Sequence, residues 1–130
     1  KDLDQGLIAT EAELAASGIT TAILAQFYSW EGGMRGADFA GRVFAALDQV
    51  RGRLVTDMRP QLRFEISMVD EYPAVSEMVS AHGIPYLVFN DHLPHDALAG
   101  GNRPPRLTGQ ALRIGRNPEK HLEYMQALHA

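Results

Sequence analysis

The stretch that decides the fold is LRFEIS, residues 62–67, an apolar run that contains Arg63 and reaches a carboxylate at Glu65. A second run, IPYLVF at residues 84–89, is followed directly by the polar segment NDHLPH at residues 90–95. Short apolar runs bounded by proline and polar residues predict β-strands. These two strands place an acid, two imidazoles and an arginine near strand ends, where α/β proteins bind their ligands.

Helical patterns alternate with the strands along the chain. Apolar positions at helical spacing predict helices over residues 4–16, 37–55 and 70–82, and strands are predicted over residues 19–27, 61–68 and 84–89. Residues 90–105 predict a polar loop, and Thr108 is expected to cap a short helix that ends near residue 114. Pro118 is expected in the first turn of a final helix that ends near residue 128.

The alternation predicts a single α/β domain over residues 1–130 with about three parallel strands and right-handed crossovers. The strand at residues 19–27 is a continuous apolar run, which predicts helices on both faces of the sheet. Periodicity does not separate an open doubly wound sheet from part of a barrel.

Composition excludes several classes of protein. The 130 residues carry a net charge of −4 and no cysteine, which argues against nucleic-acid binding, a disulfide framework, a thiolate metal site and a cysteine nucleophile. No apolar stretch reaches the roughly 20 residues of a membrane span. We therefore expect no nucleic-acid or membrane partner and a cytoplasmic location.

Glu65 is the first candidate for a functional residue. A carboxylate at the end of a buried strand needs a partner, because burying it alone is costly. The residues leave two possibilities open, a metal ion or an ion pair with Arg63 or Arg59.

The polar segment after the third strand supplies further candidates. His92 and His95, with Asp91 and Asp96, offer nitrogen and oxygen ligands that suit Zn²⁺ or Mn²⁺, and the alternative is a solvated loop. Four arginines of the C-terminal part are either phosphate-binding or surface residues: Arg103, Arg106, Arg113 and Arg116. His121 and His129, on the final helix, are expected to have no catalytic role.

Three segments together resemble the amidohydrolase superfamily. AELAASGITT at residues 12–21 resembles the segment that leads into the second barrel strand, and RFEI at residues 63–66 resembles the third strand. LVFNDHLP at residues 87–94 resembles the fourth strand and its loop. Their order and spacing are most similar to the α-D-ribose 1-methylphosphonate 5-triphosphate diphosphatase family of phosphonate utilisation.

The resemblance implies a divalent-metal-dependent hydrolase that cleaves a phosphoanhydride on a TIM barrel. It implies Glu65 as a metal ligand and His92 as a residue near the metals or phosphates. We predict that the remaining catalytic and substrate-binding residues are Asp91, Arg63, Asn90, His95 and Arg103. The substrate is expected to be a small, phosphorylated molecule, and the ion Zn²⁺, Mn²⁺ or Mg²⁺ in the full-length protein, with none required in this chain alone.

The chain departs from the family in its extent. The ligands of the first, fifth, sixth and eighth barrel strands have no counterpart here, and a TIM barrel takes about 250 residues. The resemblance therefore implies part of a barrel that is inactive without the rest. Two alternatives stay open: a non-catalytic α/β module that binds a partner or forms homo-oligomers, completing its sheet through another chain, and a truncated fragment of a longer protein.

Overall fold

The computed structural model describes residues 2–130, so Lys1, which belongs to the predicted domain, lies outside the described residues. The strands are β1 (Thr21–Tyr28), β2 (Asp57–Glu65) and β3 (Tyr86–Asn90). The helices are α1 (Leu3–Ala16), α2 (Ala37–Val50), α3 (Tyr72–Ala81), α4 (His95–Ala99), α5 (Leu107–Arg113) and α6 (Pro118–His129). Short 3-10 turns occupy Gly33–Arg35, Arg51–Arg53 and Val69–Glu71.

The sheet is parallel throughout, in the order β1-β2-β3. Phe27 of β1 stands in register with Arg63 of β2, which stands in register with Val88 of β3. Glu65 and Asn90 are paired at the carboxyl end of the sheet. The predicted α/β class with parallel strands and alternating helices is confirmed.

Helices α1, α2 and α3 cover one face of the sheet. Alternate strand residues such as Leu24, Met58 and Phe64 point to this face and pack in two apolar clusters with Leu47 of α2 and Val75 of α3. Burying these side chains supplies the main stabilisation of the layer, at about 25 cal/mol per Å² of apolar surface.

The opposite face is not covered within residues 2–130. Ile23, which alternates with Leu24, is 47% exposed, so the prediction of a strand buried on both faces is wrong. A continuous apolar run allows a strand to be buried on both faces. Here, however, the helix before β1 and the two helices between the strands all pack on the same face of the sheet. Arg59, Gln61 and Arg63 of β2 alternate along the uncovered face.

Two predicted boundaries move by four residues or more. The helix predicted over residues 37–55 ends at Val50 and continues as a 3-10 turn that contains Gly52, a residue disfavoured inside helices. Strand β2 begins at Asp57 rather than at residue 61 and includes Pro60. Pairing with β3 begins only at Gln61, so the proline lies where one side of β2 is free of a neighbour.

The C-terminal part differs more from expectation. The predicted polar loop over residues 90–105 contains helix α4, which at five residues is too short to show a helical period. Thr108 does not cap α5, because the helix begins one residue earlier and Arg106 holds the N-cap position without a side-chain bond. Asn117 caps α6 as a good N-cap residue does, accepting bonds from the backbone of the first turn.

Helices α4, α5 and α6 pack near the carboxyl ends of the strands. Leu98, Leu107 and Met125 form their shared core, against which Trp30 packs from the segment after β1. The Tyr124 hydroxyl donates to the carbonyl of Ser67, just beyond β2, over 2.8 Å. Across residues 2–130, every helix is too short or too polar to traverse a bilayer.

Candidate functional site

Glu65 and His92 form the centre of the candidate site. Glu65 is the last residue of β2 and its side chain is 2% exposed. Its Oε1 accepts the backbone N–H of His92 over 3.0 Å, and its Oε2 lies 2.6 Å from the Nδ1 atom of the same residue. One residue that follows β3 thus satisfies both oxygens of a buried acid at the end of β2.

The arginines considered as partners of Glu65 do not fill that role. Arg59 forms its ion pair with Asp57, over 2.8 Å, and the guanidinium of Arg63 lies 5.2 Å from the centre of the Phe27 ring. The alternative of an ion pair between Glu65 and either arginine is therefore wrong, and the residue that hydrogen-bonds to Glu65 is His92.

The pair presents one imidazole nitrogen outward. A carboxylate only accepts, so the Nδ1 atom of His92 carries the proton that it donates to Glu65. In the neutral ring the Nε2 atom then holds the lone pair. The His92 side chain is 67% exposed while its carboxylate partner is buried. Such a ring can accept a proton from a reacting water or bind a metal ion.

A second carboxylate–imidazole group follows in the same loop. The Oδ2 atom of Asp91 lies 2.8 Å from Nε2 of His95, and the other oxygen accepts the backbone N–H of Leu93. The hydrogen bond from His95 lowers the pKa of Asp91, with a smaller contribution from the Leu93 N–H. On its other side, Nδ1 of His95 lies 3.0 Å from Nδ1 of His129 at the end of α6.

The predicted site residues are of three kinds: those that contact one another, those that lie near Glu65 on the strands, and one that lies apart. Glu65 and His92 contact one another, and Asp91 contacts His95. Asn90 ends β3 beside Glu65 in register, and Arg63 lies two residues before Glu65 on the uncovered face. Arg103 is an exposed residue that pairs with Glu119 of α6 and shares no side-chain hydrogen bond or ion pair with the other predicted residues.

The donors fit part of a metal centre. Among residues 2–130 no group of three or more His, Cys, Asp or Glu side chains is placed to hold a metal ion. Glu65 and His92 supply a carboxylate and an imidazole, two of the ligand types that catalytic zinc uses with three protein ligands. The carboxylate oxygens keep a second lone pair each beyond the bonds from His92.

A small cavity lies beside α5 and α6. It has a volume of about 120 Å³ and is lined by Trp30, Glu31, Arg106, Gln110, Arg113, Ile114 and His121. The His121 ring is fully buried, 5.1 Å from the Trp30 ring, and neither of its nitrogens has a hydrogen-bond partner. Burial, and next the positive charge of Arg116, lower the pKa of His121. This environment was not predictable from the sequence, since a histidine on an amphipathic helix is usually exposed.

The burial of a second acid, Glu11, was not predicted from the sequence. It lies on α1, is 6% exposed, and its Oε1 accepts the backbone N–H groups of Val55 and Thr56 over 3.0 and 2.6 Å. Val55 and Thr56 immediately precede β2, so Glu11 holds the start of this strand, and Glu65 is its last residue. The surrounding residues do not indicate its burial, because only the fold brings α1 against the segment before β2.

Comparisons with protein-family models, curated protein sequences and solved structures found no match to this chain. The function is therefore inferred from the geometry around Glu65 and His92 and from the resemblance of the three sequence segments.

Proposed function

We propose that Glu65 and His92 belong to the active site of a metal-dependent hydrolase of the amidohydrolase type. The observation that carries this proposal is a buried carboxylate at the carboxyl end of a parallel strand that orients an exposed imidazole. Active sites of α/β barrels are built at that end of the strands. Carboxylate-oriented imidazoles serve there as metal ligands or as proton acceptors.

The two residues have distinct roles in this proposal. Glu65 holds the tautomer of His92 in which Nε2 is free, and Nε2 accepts a proton from the attacking water or binds the ion. His92 would bind a Zn²⁺, Mn²⁺ or Mg²⁺ ion together with residues from outside this chain, and Glu65 would either orient the His92 ring or bind the ion directly. When bound, the ion would supply Lewis-acid activation of water.

The substrate we propose is a small phosphoanhydride of phosphonate metabolism, hydrolysed in the cytoplasm. Arg63 and Asn90 lie on the same face of the sheet as Glu65 and could meet its phosphate groups. The uncovered face and the outer edges of β1 and β3, which have no strand partner within residues 2–130, support a site that needs further strands for activity.

Turnover of the full-length protein that contains these residues tests the proposal. Release of pyrophosphate from α-D-ribose 1-methylphosphonate 5-triphosphate, measured with Mn²⁺ present, is expected to fall at least 100-fold in Glu65→Gln and in His92→Gln, as losses of catalytic groups commonly do. The matched control is Asp48→Asn, which breaks an equally short carboxylate–histidine contact, Asp48–His82 at 2.6 Å, away from the strand ends. Wild-type turnover in both Glu65 and His92 variants would refute the proposal.

A non-catalytic binding or oligomerisation module is the second candidate. An apolar groove of about 510 Å³ runs between α3 and the edge strand β3, lined by Phe64, Tyr72, Val75, Ser76, Val79, Leu87 and Phe89. Phe89 is 65% exposed there, and exposed edges of this kind pair with other chains. Sedimentation of the 130-residue chain would support this candidate by showing dimers that Phe89→Glu dissociates, and a compact monomer would count against it.

A truncated fragment remains the third candidate. The intact mass of the purified native protein distinguishes it, because a fragment leaves a native mass well above the 14.3 kDa of this chain.

A further inference from the structure

We propose that His95 and His129 form a separate binding site for a transition-metal ion of the zinc and copper type. The two Nδ1 atoms are 3.0 Å apart and the ring centres are 5.2 Å apart. The two residues are 34 positions apart in the sequence. The site is distinct from the Glu65–His92 pair and does not depend on the function proposed for that pair.

Asp91 sets the tautomer of His95 that a metal ion requires. Its carboxylate accepts from Nε2 of His95 over 2.8 Å, so the proton of the neutral ring is on Nε2 and the lone pair is on Nδ1. That lone pair faces His129. A carboxylate that fixes the proton on one ring nitrogen and leaves the other unprotonated is the arrangement that metal-binding histidines usually show.

The spacing of the nitrogens suits a shared ion. Zinc–nitrogen bonds of about 2.0–2.1 Å at a tetrahedral angle place two ligand nitrogens about 3.3 Å apart. The observed 3.0 Å separation must widen by a few tenths of an ångström, and both rings must turn so that their lone pairs point to the ion rather than to each other. Without an ion, one Nδ1–H donates to the other ring's lone pair, and with an ion both lone pairs bind it.

Packing holds the two histidines in place. His95 is the first residue of α4 and His129 is the last residue of α6. Leu98 of α4 and Met125 of α6 belong to one buried cluster, which fixes the two helices against each other. The ligands are therefore preorganised on two helix ends, and less ordering entropy is lost when an ion binds.

The site is open to solvent. The His95 side chain is about half exposed, so an ion can reach it and water can complete its coordination. Two imidazoles favour Cu²⁺ and Zn²⁺ over Mg²⁺ or Ca²⁺, which prefer oxygen ligands. We expect binding of Cu²⁺ to be tighter than that of Zn²⁺, in the order that imidazole sites generally follow.

Calorimetric titration of the 130-residue protein with ZnCl₂ at pH 7.5 tests the site. His129→Ala and His95→Ala are each expected to weaken the zinc binding at least tenfold. His82→Ala is the matched control, since His82 pairs with Asp48 and touches neither residue. His92→Ala separates the two proposals, because it removes only zinc bound beside Glu65.

Asp91→Asn tests the positioning role of the carboxylate. It is expected to weaken zinc binding by about 10-fold, as losses of such outer partners do. It should also shift the tautomer of His95, which ¹⁵N chemical shifts of the ring report directly. The proposal is overturned if zinc binding is unchanged in both His95→Ala and His129→Ala, or if zinc leaves the ring resonances of both residues unmoved.

Discussion

Two buried glutamates lie at opposite ends of β2, and their carboxylates are hydrogen-bonded in different ways. Glu11 accepts hydrogen bonds from two backbone N–H groups at the start of the strand. These donors do not titrate, and the backbone holds them in place. Glu65 accepts one backbone N–H and one imidazole at its end, and the imidazole is exposed. The first acid stabilises the backbone, and the second orients a group that can exchange protons or bind a ligand.

The difference follows the general asymmetry of parallel α/β folds. Residues at the amino ends of the strands mainly stabilise, and residues at the carboxyl ends carry chemistry. Burial alone does not separate the two roles, since both side chains are almost inaccessible. The identity of the hydrogen-bond partner separates them.

The largest expected effect on stability is that of Glu11→Ala. It leaves the N–H groups of Val55 and Thr56 without their acceptor, and the melting temperature is expected to fall by roughly 10 °C. Glu13→Ala, at an exposed position of the same helix, is the control and should change it little. An equal fall in both variants would attribute the effect to helix α1 as a whole rather than to the acceptor.

The contribution of Glu11 to the stability of the fold should be lost at low pH. The N–H of Thr56, with the further bonds from Thr56 and Val55, holds the pKa of Glu11 below its ordinary value against the opposing effect of burial. Its stabilisation is complete above the unfolded pKa of about 4.3 and is lost as the pH falls through the lower folded pKa. The difference in melting temperature between wild type and Glu11→Ala should shrink below pH 4, as scanning calorimetry would show. A constant difference would contradict this account.

Glu65→Gln is expected to cost about 1–3 kcal/mol, since one hydrogen bond of a buried group is weakened or mismatched. Its diagnostic effect is on His92. Without the carboxylate, the ring is free to place its proton on Nε2, which ¹⁵N shifts would detect as a mixed tautomer. Retention of the Nδ1–H tautomer in the variant would show that Glu65 does not orient the ring.

The sequence predicted the parts of this arrangement that depend on the order of elements. Alternating helices and apolar runs require parallel strands, and parallel strands bring Glu65 and His92 to one edge. The face on which the helices pack was not predictable, because a continuous apolar run does not distinguish the two faces of a strand. Ile23 and Leu24 look equivalent in the sequence, yet Ile23 is exposed and Leu24 packs in the core.

The contacts of the site were less predictable than its position. The partner of Glu65 depends on the path of the loop after β3, which turns the backbone and ring of His92 toward it rather than Arg63. His129 meets His95 only because α4 and α6 share a core, and the shortness of α4 conceals it in the sequence. Metal binding at Glu65 and the catalytic roles of His92 and Asp91 stay predictions. So do the substrate-binding roles predicted for Arg63, Asn90, His95 and Arg103.

His121 extends the comparison to a buried ionisable group with no hydrogen-bond partner. Its pKa is lowered, so below about pH 6.5 the unfolded chain takes up a proton that the folded chain does not. Stability should therefore fall on acidification, by at most about 1.4 kcal/mol per pH unit. His121→Leu should remove this dependence in urea titrations at pH 7.5 and 5.5 and stay within about 1 kcal/mol of wild type at the higher pH. An unchanged pH dependence would assign it to other groups.

The smallest effect is expected for Asp48→Asn. Asp48 and His82 are as close as Glu65 and His92, but here the acid is partly exposed. Exposed pairs contribute little, so the free energy of unfolding should change by less than about 0.5 kcal/mol in chemical denaturation. A loss as large as that in Glu65→Gln would show that distance, rather than burial of the acid, determines what such a pair contributes.

Arg106 has a consequence for heat tolerance. It is the one non-glycine residue in residues 2–130 with a positive φ angle, 70°, and it lies immediately before α5 beside the cavity over His121. A side chain in that conformation costs roughly 1 kcal/mol relative to glycine. Laboratory selection for thermal tolerance should therefore reach Arg106→Gly early, and the hardier protein would lack one of the two guanidinium groups that border the cavity.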